Sequence, residues 1–164
     1  MHIEILVEDA SGAALLEILA PQLLGEYGIQ HTWRIHRYKG AGRLPRGLRP
    51  NTDAEKRILL DQLPKLLRGF GNTPGVDRIA VIVDADNRDC VAFLRELNNQ
   101  AQECRVGGKT MFRLAIEEVE AWYLGDQAAI LQTYPNAKIA ILNAYVQDSI
   151  CGTWERLADA TVRG

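Results

Sequence analysis

Cysteine is scarce in this chain, and long apolar runs are missing. The three cysteines, Cys90, Cys104 and Cys151, form no CxxC pair and no zinc-ligand spacing. They predict reduced thiols rather than a disulfide framework or a zinc module. No apolar stretch approaches the roughly 20 residues that a membrane span needs, and Met1-His2-Ile3 enters a predicted strand without a signal peptide. We therefore expect a cytoplasmic protein that makes no membrane contact.

Acidic residues are missing from one segment. Between His31 and Pro50 the chain carries six Lys and Arg residues and no Asp or Glu, whereas the rest carries 13 basic and 21 acidic residues. A basic segment on an acidic body indicates a patch for a polyanion, with a solvated loop as the alternative. Because its glycines let this segment approach phosphates closely, we expect Lys39, Arg43 and Arg46 to contact a nucleic-acid backbone.

Short β-branched runs alternate with helical patterns along the 164 residues. The predicted strands are Ile3 to Val7, Thr32 to Arg37, Arg78 to Val83 and Thr110 to Ile116. An apolar helical pattern follows each of the first three strands, and a further helical region closes the chain. This order predicts an α/β fold with a mostly parallel sheet, helices on both faces and a helical C-terminal extension.

Local signals predict where several helices begin. Thr52-Asp-Ala-Glu55 matches a capping box and predicts a helix start at that point. Glu117 to Leu124 is predicted as a helix with an acidic first turn, in which Glu117 and Glu120 share a face. Asp126 is expected to cap the next helix. The segment from Lys138 to Val146 is compatible with either a helix or a strand.

Acidic residues follow two of the predicted strands. The first strand runs into Glu8, and the third runs into Asp84 and Asp86. If strand two lies on the far side of strand one, strands one and three are neighbours about 4.8 Å apart, and their carboxyl ends share an edge. In extended backbone Asp84 and Asp86 would point the same way. Such oxygen ligands suit Mg²⁺ or Mn²⁺; the competing interpretation is that these acids cap helices.

Taken in order, Glu8, Asp84-x-Asp86 and the acidic helix start after the next strand resemble a Toprim domain, the catalytic module of topoisomerases, bacterial primases and OLD-type nucleases. The segment Ala115-Ile-Glu-Glu-Val-Glu-Ala-Trp-Tyr-Leu-Gly-Asp126 resembles more specifically a family of uncharacterised prokaryotic Toprim-like proteins. Members of that family are often suspected of roles in phage defence beside ATPases. The resemblance implies a Toprim/Rossmann-like catalytic domain over residues 1–126, with a helical extension over residues 127–164.

The resemblance also implies roles for individual residues. Glu8 would act as a general acid or base or as a metal ligand, and Asp84 and Asp86 would be metal ligands. A second metal position would be completed by one of three later acids: Glu117, Glu118 or Glu120, with Glu117 and Glu120 favoured. The implied cofactor is Mg²⁺ or Mn²⁺. The implied partners are DNA or RNA and an ATPase protein, and the sequence leaves the oligomeric state open, a homodimer included.

The sequence thus predicts a metal-dependent nucleic-acid phosphodiesterase, a Toprim-type nuclease with a role in phage defence. Nothing in it resembles the tyrosine domain of topoisomerases, so hydrolysis is favoured over strand passage. One alternative is a non-catalytic nucleic-acid or protein-binding subunit of an ATPase complex. Another is a nucleotide-sugar transferase, since those enzymes also chelate metal with Asp-x-Asp. The chain ends soon after an amphipathic run from Thr153 without a helix stop, which leaves a longer native protein open.

Overall fold

Strands and helices alternate as the sequence predicts. A computed structural model describes residues 1–149 and 152–162. Its elements are β1 (His2–Val7), α1 (Ala10–Leu24), β2 (Thr32–Arg37), α2 (Leu59–Gly71), β3 (Arg78–Asp84), α3 (Cys90–Glu103), β4 (Thr110–Ala115), α4 (Glu120–Leu124), α5 (Gln127–Thr133), α6 (Ile139–Asn143) and α7 (Thr153–Thr161). Short 3-10 turns occupy Ala54–Lys56 and Gly107–Lys109.

The four strands form one parallel sheet in the order β2-β1-β3-β4. On one side of β1, His2 lies opposite Thr32 and Val7 lies opposite Arg37. On its other side, Val7 lies opposite Ile82 of β3. The predicted α/β class is therefore confirmed, and strands one and three are the neighbours that the metal-site hypothesis requires.

Successive side chains of β1 point to opposite faces of the sheet. Both faces carry apolar side chains, and helices cover both of them. Leu6 belongs to the main buried cluster, together with Leu63 of α2 and Leu97 of α3. On the other face, Val7 approaches α1 so closely that an ideal Cβ built on Gly12 would lie 2.7 Å from Val7 Cγ2. Helix α1 therefore packs on one face, and α2 and α3 pack on the other.

The predicted capping box does not start a helix, and that prediction is wrong. The segment 52–55 runs into a 3-10 turn, whereas α2 begins only at Leu59, after an isoleucine that has no polar side-chain atom. The Leu59 N–H donates to the Gly40 carbonyl at 3.0 Å, and the Leu60 N–H donates to the Ala41 carbonyl at 2.7 Å. Loop carbonyls thus satisfy N–H groups that a capping side chain would otherwise bind.

Helix α4 also begins later than predicted. It starts at Glu120, and Glu117 precedes it with a φ of 63°. The prediction that Glu117 and Glu120 share a helical face is therefore wrong. Asp126 does cap α5, since its side chain accepts a hydrogen bond from the Ala129 N–H at 3.0 Å. The ambiguous segment after Lys138 is helical, as α6.

The chain divides into two compact units. The first contains Met1–Val83 and Val91–Leu114, and the second contains Asp84–Cys90 and Ala115–Gly164. The second unit has its own buried cluster, formed by Leu124, Ile130, Ala137, Leu142 and Ala160. The predicted domain boundary after Asp126 stays a prediction. Among the described residues, no helix combines the length and the apolar character that crossing a bilayer requires.

The close approach of α1 to β1 makes Gly12→Ala a test of the packing. We expect this substitution to lower the free energy of unfolding by about 1–3 kcal/mol, because its methyl group would overlap Val7. A matched control is Gly69→Ala in α2, where an ideal Cβ would meet no described heavy atom within 4 Å. The control should gain about 0.5–1 kcal/mol from helix propensity. Urea denaturation followed by circular dichroism measures the free energy of unfolding of both variants. Equal changes in the two variants would contradict the close packing of α1 on β1.

Candidate functional site

Glu8 lies directly after β1, at the carboxyl edge of the sheet. Its side chain is half-buried, and its carbonyl accepts a hydrogen bond from the Gly40 N–H at 3.0 Å. The next residue, Asp9, caps α1 by accepting from the Gly12 N–H at 2.8 Å and from the Ser11 hydroxyl at 2.7 Å. The two neighbouring acids therefore have different surroundings, and Asp9 is committed to the helix start.

Asp84 is the last residue of β3, and the chain turns immediately after it. Ala85 is fully buried, and Asp86 has a φ of 48°. The expectation that Asp84-x-Asp86 stays extended is therefore wrong. The Asp86 N–H donates to the Glu117 carbonyl at 2.8 Å. The Asp86 carboxylate is 53% exposed and lies 3.4 Å from Nη2 of Arg88.

The carboxylate of Glu117 binds the start of α7. Its Oε1 accepts from the Gly152 N–H at 2.7 Å, and its Oε2 accepts from the Thr153 N–H at 2.8 Å. The residue is only 9% exposed. A buried carboxylate with charge-assisted hydrogen bonds to both oxygens is well compensated. Both oxygens of Glu117 thus already serve the backbone.

Glu118 supports the same helix. Its Oε2 accepts from the Thr153 hydroxyl at 3.1 Å and from the Trp154 N–H at 3.0 Å. Two negative charges therefore lie at the positive end of the α7 dipole. The sequence interpretation placed these acids in the first turn of their own helix. The structure shows that they cap a helix 35 or more residues later, which no local pattern indicates.

The predicted metal ligands are distributed over the two units. Glu8 belongs to the first, whereas Asp84, Asp86, Glu117 and Glu120 belong to the second. Among residues 1–149 and 152–162, no group of three or more His, Cys, Asp and Glu residues is arranged to hold a metal ion. The convergence of Glu8 with the aspartates and the Mg²⁺ or Mn²⁺ cofactor both stay predictions.

The predicted basic segment is an anchored loop with exposed cations. Lys39, Arg43 and Arg46 are all exposed. The Arg43 N–H donates to Oδ1 of the buried Asp61 at 2.8 Å, and the Asn51 side-chain amide donates to the Arg43 carbonyl at 3.0 Å. None of the six Lys and Arg residues in segment 31–50 pairs with a described carboxylate. The backbone is held in place while the charges face solvent.

A buried acid between two histidines is a feature that the sequence interpretation missed. Glu4 is 7% exposed. Its Oε1 lies 3.3 Å from Nε2 of His2, and its Oε2 lies 2.5 Å from Nε2 of His36. His2 is held in turn through Nδ1, which lies 2.7 Å from the Thr32 hydroxyl. The signal was available, because Glu4 shares the α2 face of β1 with Leu6 and so had to be buried with a partner.

Two of the three cysteines lie in the described part of the chain. Cys90 and Cys104 are free thiols, and Cys104 is buried. Burial raises the pKa of the Cys104 thiol, which makes that sulfur a poor nucleophile near neutral pH. Cys151 lies outside the described residues, so the prediction for its thiol stays a prediction.

The capping role of Glu117 can be tested by Glu117→Gln. We expect the free energy of unfolding of the second unit to fall by about 1–3 kcal/mol, because one charged acceptor of N–H groups becomes an amide. Glu155→Gln, at an exposed acid in the first turn of α7, is the matched control: it removes one charge from the same helix start and should lower the free energy of unfolding by only about 0.3–1 kcal/mol. Chemical denaturation in EDTA and in Mg²⁺ measures both variants. A deficit that appears only in Mg²⁺ would contradict the capping role and indicate metal ligation.

No family model, curated protein or solved structure matches the chain. The resemblance to Toprim domains therefore stays a prediction from the acidic motifs.

Proposed function

We propose that this protein is a metal-dependent phosphodiesterase that hydrolyses nucleic acid. The observation that carries the proposal is the strand order. β1 and β3 are parallel neighbours, so their carboxyl ends lie at one edge of the sheet. Glu8 follows β1 directly, and Asp84 closes β3. Ligands of parallel α/β sheets bind beyond this edge, and a metal bound by carboxylates there would suit phosphate chemistry.

Backbone conformation gives further support in the second unit. Asp86 and Glu117 pair in an isolated antiparallel bridge, and both have positive φ values, 48° and 63°. A left-handed conformation is unusual for a glutamate and costs free energy. Residues held in such conformations cluster at functional sites, where the surrounding structure keeps a side chain in a required position. The strained bridge includes Asp86, one of the two aspartates that the proposal uses.

Each acid has a role in the proposed reaction. Asp84 and Asp86 would hold Mg²⁺ or Mn²⁺, since carboxylate oxygens are the donors that these ions prefer. The bound ion would polarise the scissile phosphate and stabilise the developing charge. Glu8 would accept the proton of the attacking water. Both Glu117 oxygens accept N–H groups, and Glu120 is the other acid that would serve as a further ligand.

Asp84→Asn combined with Asp86→Asn tests this function. Asparagine keeps the size of each side chain and tolerates the positive φ of position 86. We expect Mg²⁺- or Mn²⁺-dependent cleavage of DNA or RNA to fall at least about a hundredfold, the scale of losing one electrostatic group in an active site. Single- and double-stranded substrates are assayed by gel electrophoresis, with folding checked by circular dichroism.

The matched control is Glu96→Gln, an exposed acid on α3, which should cleave like the unmodified protein. Cleavage that survives in the double variant would show that these aspartates do not hold the metal. A wild-type protein that cleaves none of the substrates with either ion would refute the phosphodiesterase itself.

The anchored basic loop favours a second candidate, a nucleic-acid-binding subunit without catalysis. Its exposed cations need no metal ion, and their backbone is fixed by Asp61 and by the first N–H groups of α2. Cations in such an arrangement bind phosphates without reading sequence. Binding through this loop would also position a substrate for the phosphodiesterase, so the two candidates differ only in the chemistry at the acidic edge.

Arg43→Gln combined with Arg46→Gln tests the loop. The double variant should bind DNA or RNA more weakly in EDTA. Its log–log salt slope should be shallower by about 0.7 to 0.9 per lost phosphate contact. Arg95→Gln, an exposed cation on α3, is the control and should leave affinity and slope unchanged. Fluorescence anisotropy at several salt concentrations gives both quantities, and an unchanged slope in the double variant would exclude the loop as the phosphate contact.

A further inference from the structure

The first unit contains an open groove that the acidic motifs do not use. It has a volume of about 510 Å³, and its lining residues come from the end of β2, the 3-10 turn and α2. This volume falls within the range of small-molecule sites in proteins. Its lining includes three rings and two cations, those of His36, Tyr38, Phe70, Arg57 and Lys65.

The charged residues of the groove are all positive. Arg57 and Lys65 line it, and within the described chain no carboxylate does. Neither cation pairs with a described Asp or Glu. Arg57 donates one N–H to the Arg37 carbonyl at 2.5 Å, which fixes the guanidinium and leaves further donors for a ligand. Two lining cations suit a phosphate group, and the Glu4 carboxylate beside the groove is already bound to His36 and His2.

Aromatic rings form the apolar part of the groove. The rings of His36 and Phe70 are 5.0 Å apart at an angle of 44°, and the Arg57 guanidinium lies 5.8 Å from the centre of the Tyr38 ring. Burial raises the pKa of Tyr38 to about 12, so its hydroxyl stays neutral at physiological pH. Flat apolar rings beside cations suit a ligand that has a planar base as well as a phosphate.

We propose that this groove binds a nucleoside phosphate, with the base against Phe70 and Tyr38 and the phosphate between Arg57 and Lys65. The ligand is either a free nucleotide or one nucleotide of a single strand, since both present the same chemistry. The site lies within the first unit and uses no carboxylate and no metal ion. It therefore holds whether or not the acidic edge hydrolyses nucleic acid.

Titration calorimetry in EDTA tests the groove with AMP as the probe. We expect AMP to bind, and adenosine and inorganic phosphate each to bind at least about tenfold more weakly, because each lacks half of the contacts. Lys65→Gln should weaken AMP at least about tenfold. Lys56→Gln, an exposed neighbour outside the groove, should bind AMP like the unmodified protein. Phe70→Leu keeps an apolar side chain and should weaken AMP by removing the ring.

A single-stranded oligoadenylate of eight nucleotides distinguishes the two sources. Binding of AMP at least as tight as that of the oligoadenylate supports a free nucleotide. Much tighter binding of the oligoadenylate, lost with Lys65→Gln, supports a nucleotide within a strand. The proposal is overturned if neither probe binds, or if Lys65→Gln and Lys56→Gln bind equally well. Since no metal is present, none of these outcomes depends on nuclease activity.

Discussion

The pairing of β1 with a parallel strand on each side determines the arrangement of the first unit. The strand is buried from Ile3 to Val7, and its hydrogen bonding continues beyond its end. The Val7 carbonyl accepts from the Tyr38 N–H at 2.9 Å, and the Glu8 carbonyl accepts from the Gly40 N–H at 3.0 Å. This continuation leads the chain from β2 towards α2. The basic loop, the groove and the position of Glu8 therefore all derive from one strand.

Two carboxylates of the second unit, those of Glu117 and Glu118, accept hydrogen bonds from backbone N–H groups. Helix α7 has nine residues, a length that is marginal in isolation. Glu117 and Glu118 supply charged acceptors for three N–H groups near its start. A short helix far along the chain is thereby tied to the segment that follows β4. The same acids that suggest metal chemistry in the sequence thus also have a structural role.

Periodicity was sufficient to predict the fold class and the succession of strands and helices along the chain, because β-branched runs and apolar helical faces are local properties of the sequence. The start of α2 could not be predicted in the same way, since its N–H groups bind carbonyls of Gly40 and Ala41, nearly 20 residues earlier. The positive φ of Asp86 could not be predicted from the sequence for a similar reason. Its bridge partner, Glu117, is 31 residues away. Of the candidate site, the residue types could be identified from sequence, whereas their backbone conformations and partners depended on tertiary contacts.

The hydrogen bond between Asp61 and the Arg43 backbone has a consequence for the affinity of the basic loop for a polyanion. A flexible loop would lose conformational entropy when it closed on a polyanion, and that loss would reduce affinity. Here much of the ordering has already occurred during folding, because the Asp61 side chain and the first backbone N–H groups of α2 bind the backbone of the loop. In the proposed binding, an incoming polyanion would meet charges on a preorganised backbone, and only the arginine side chains would remain to be immobilised on contact.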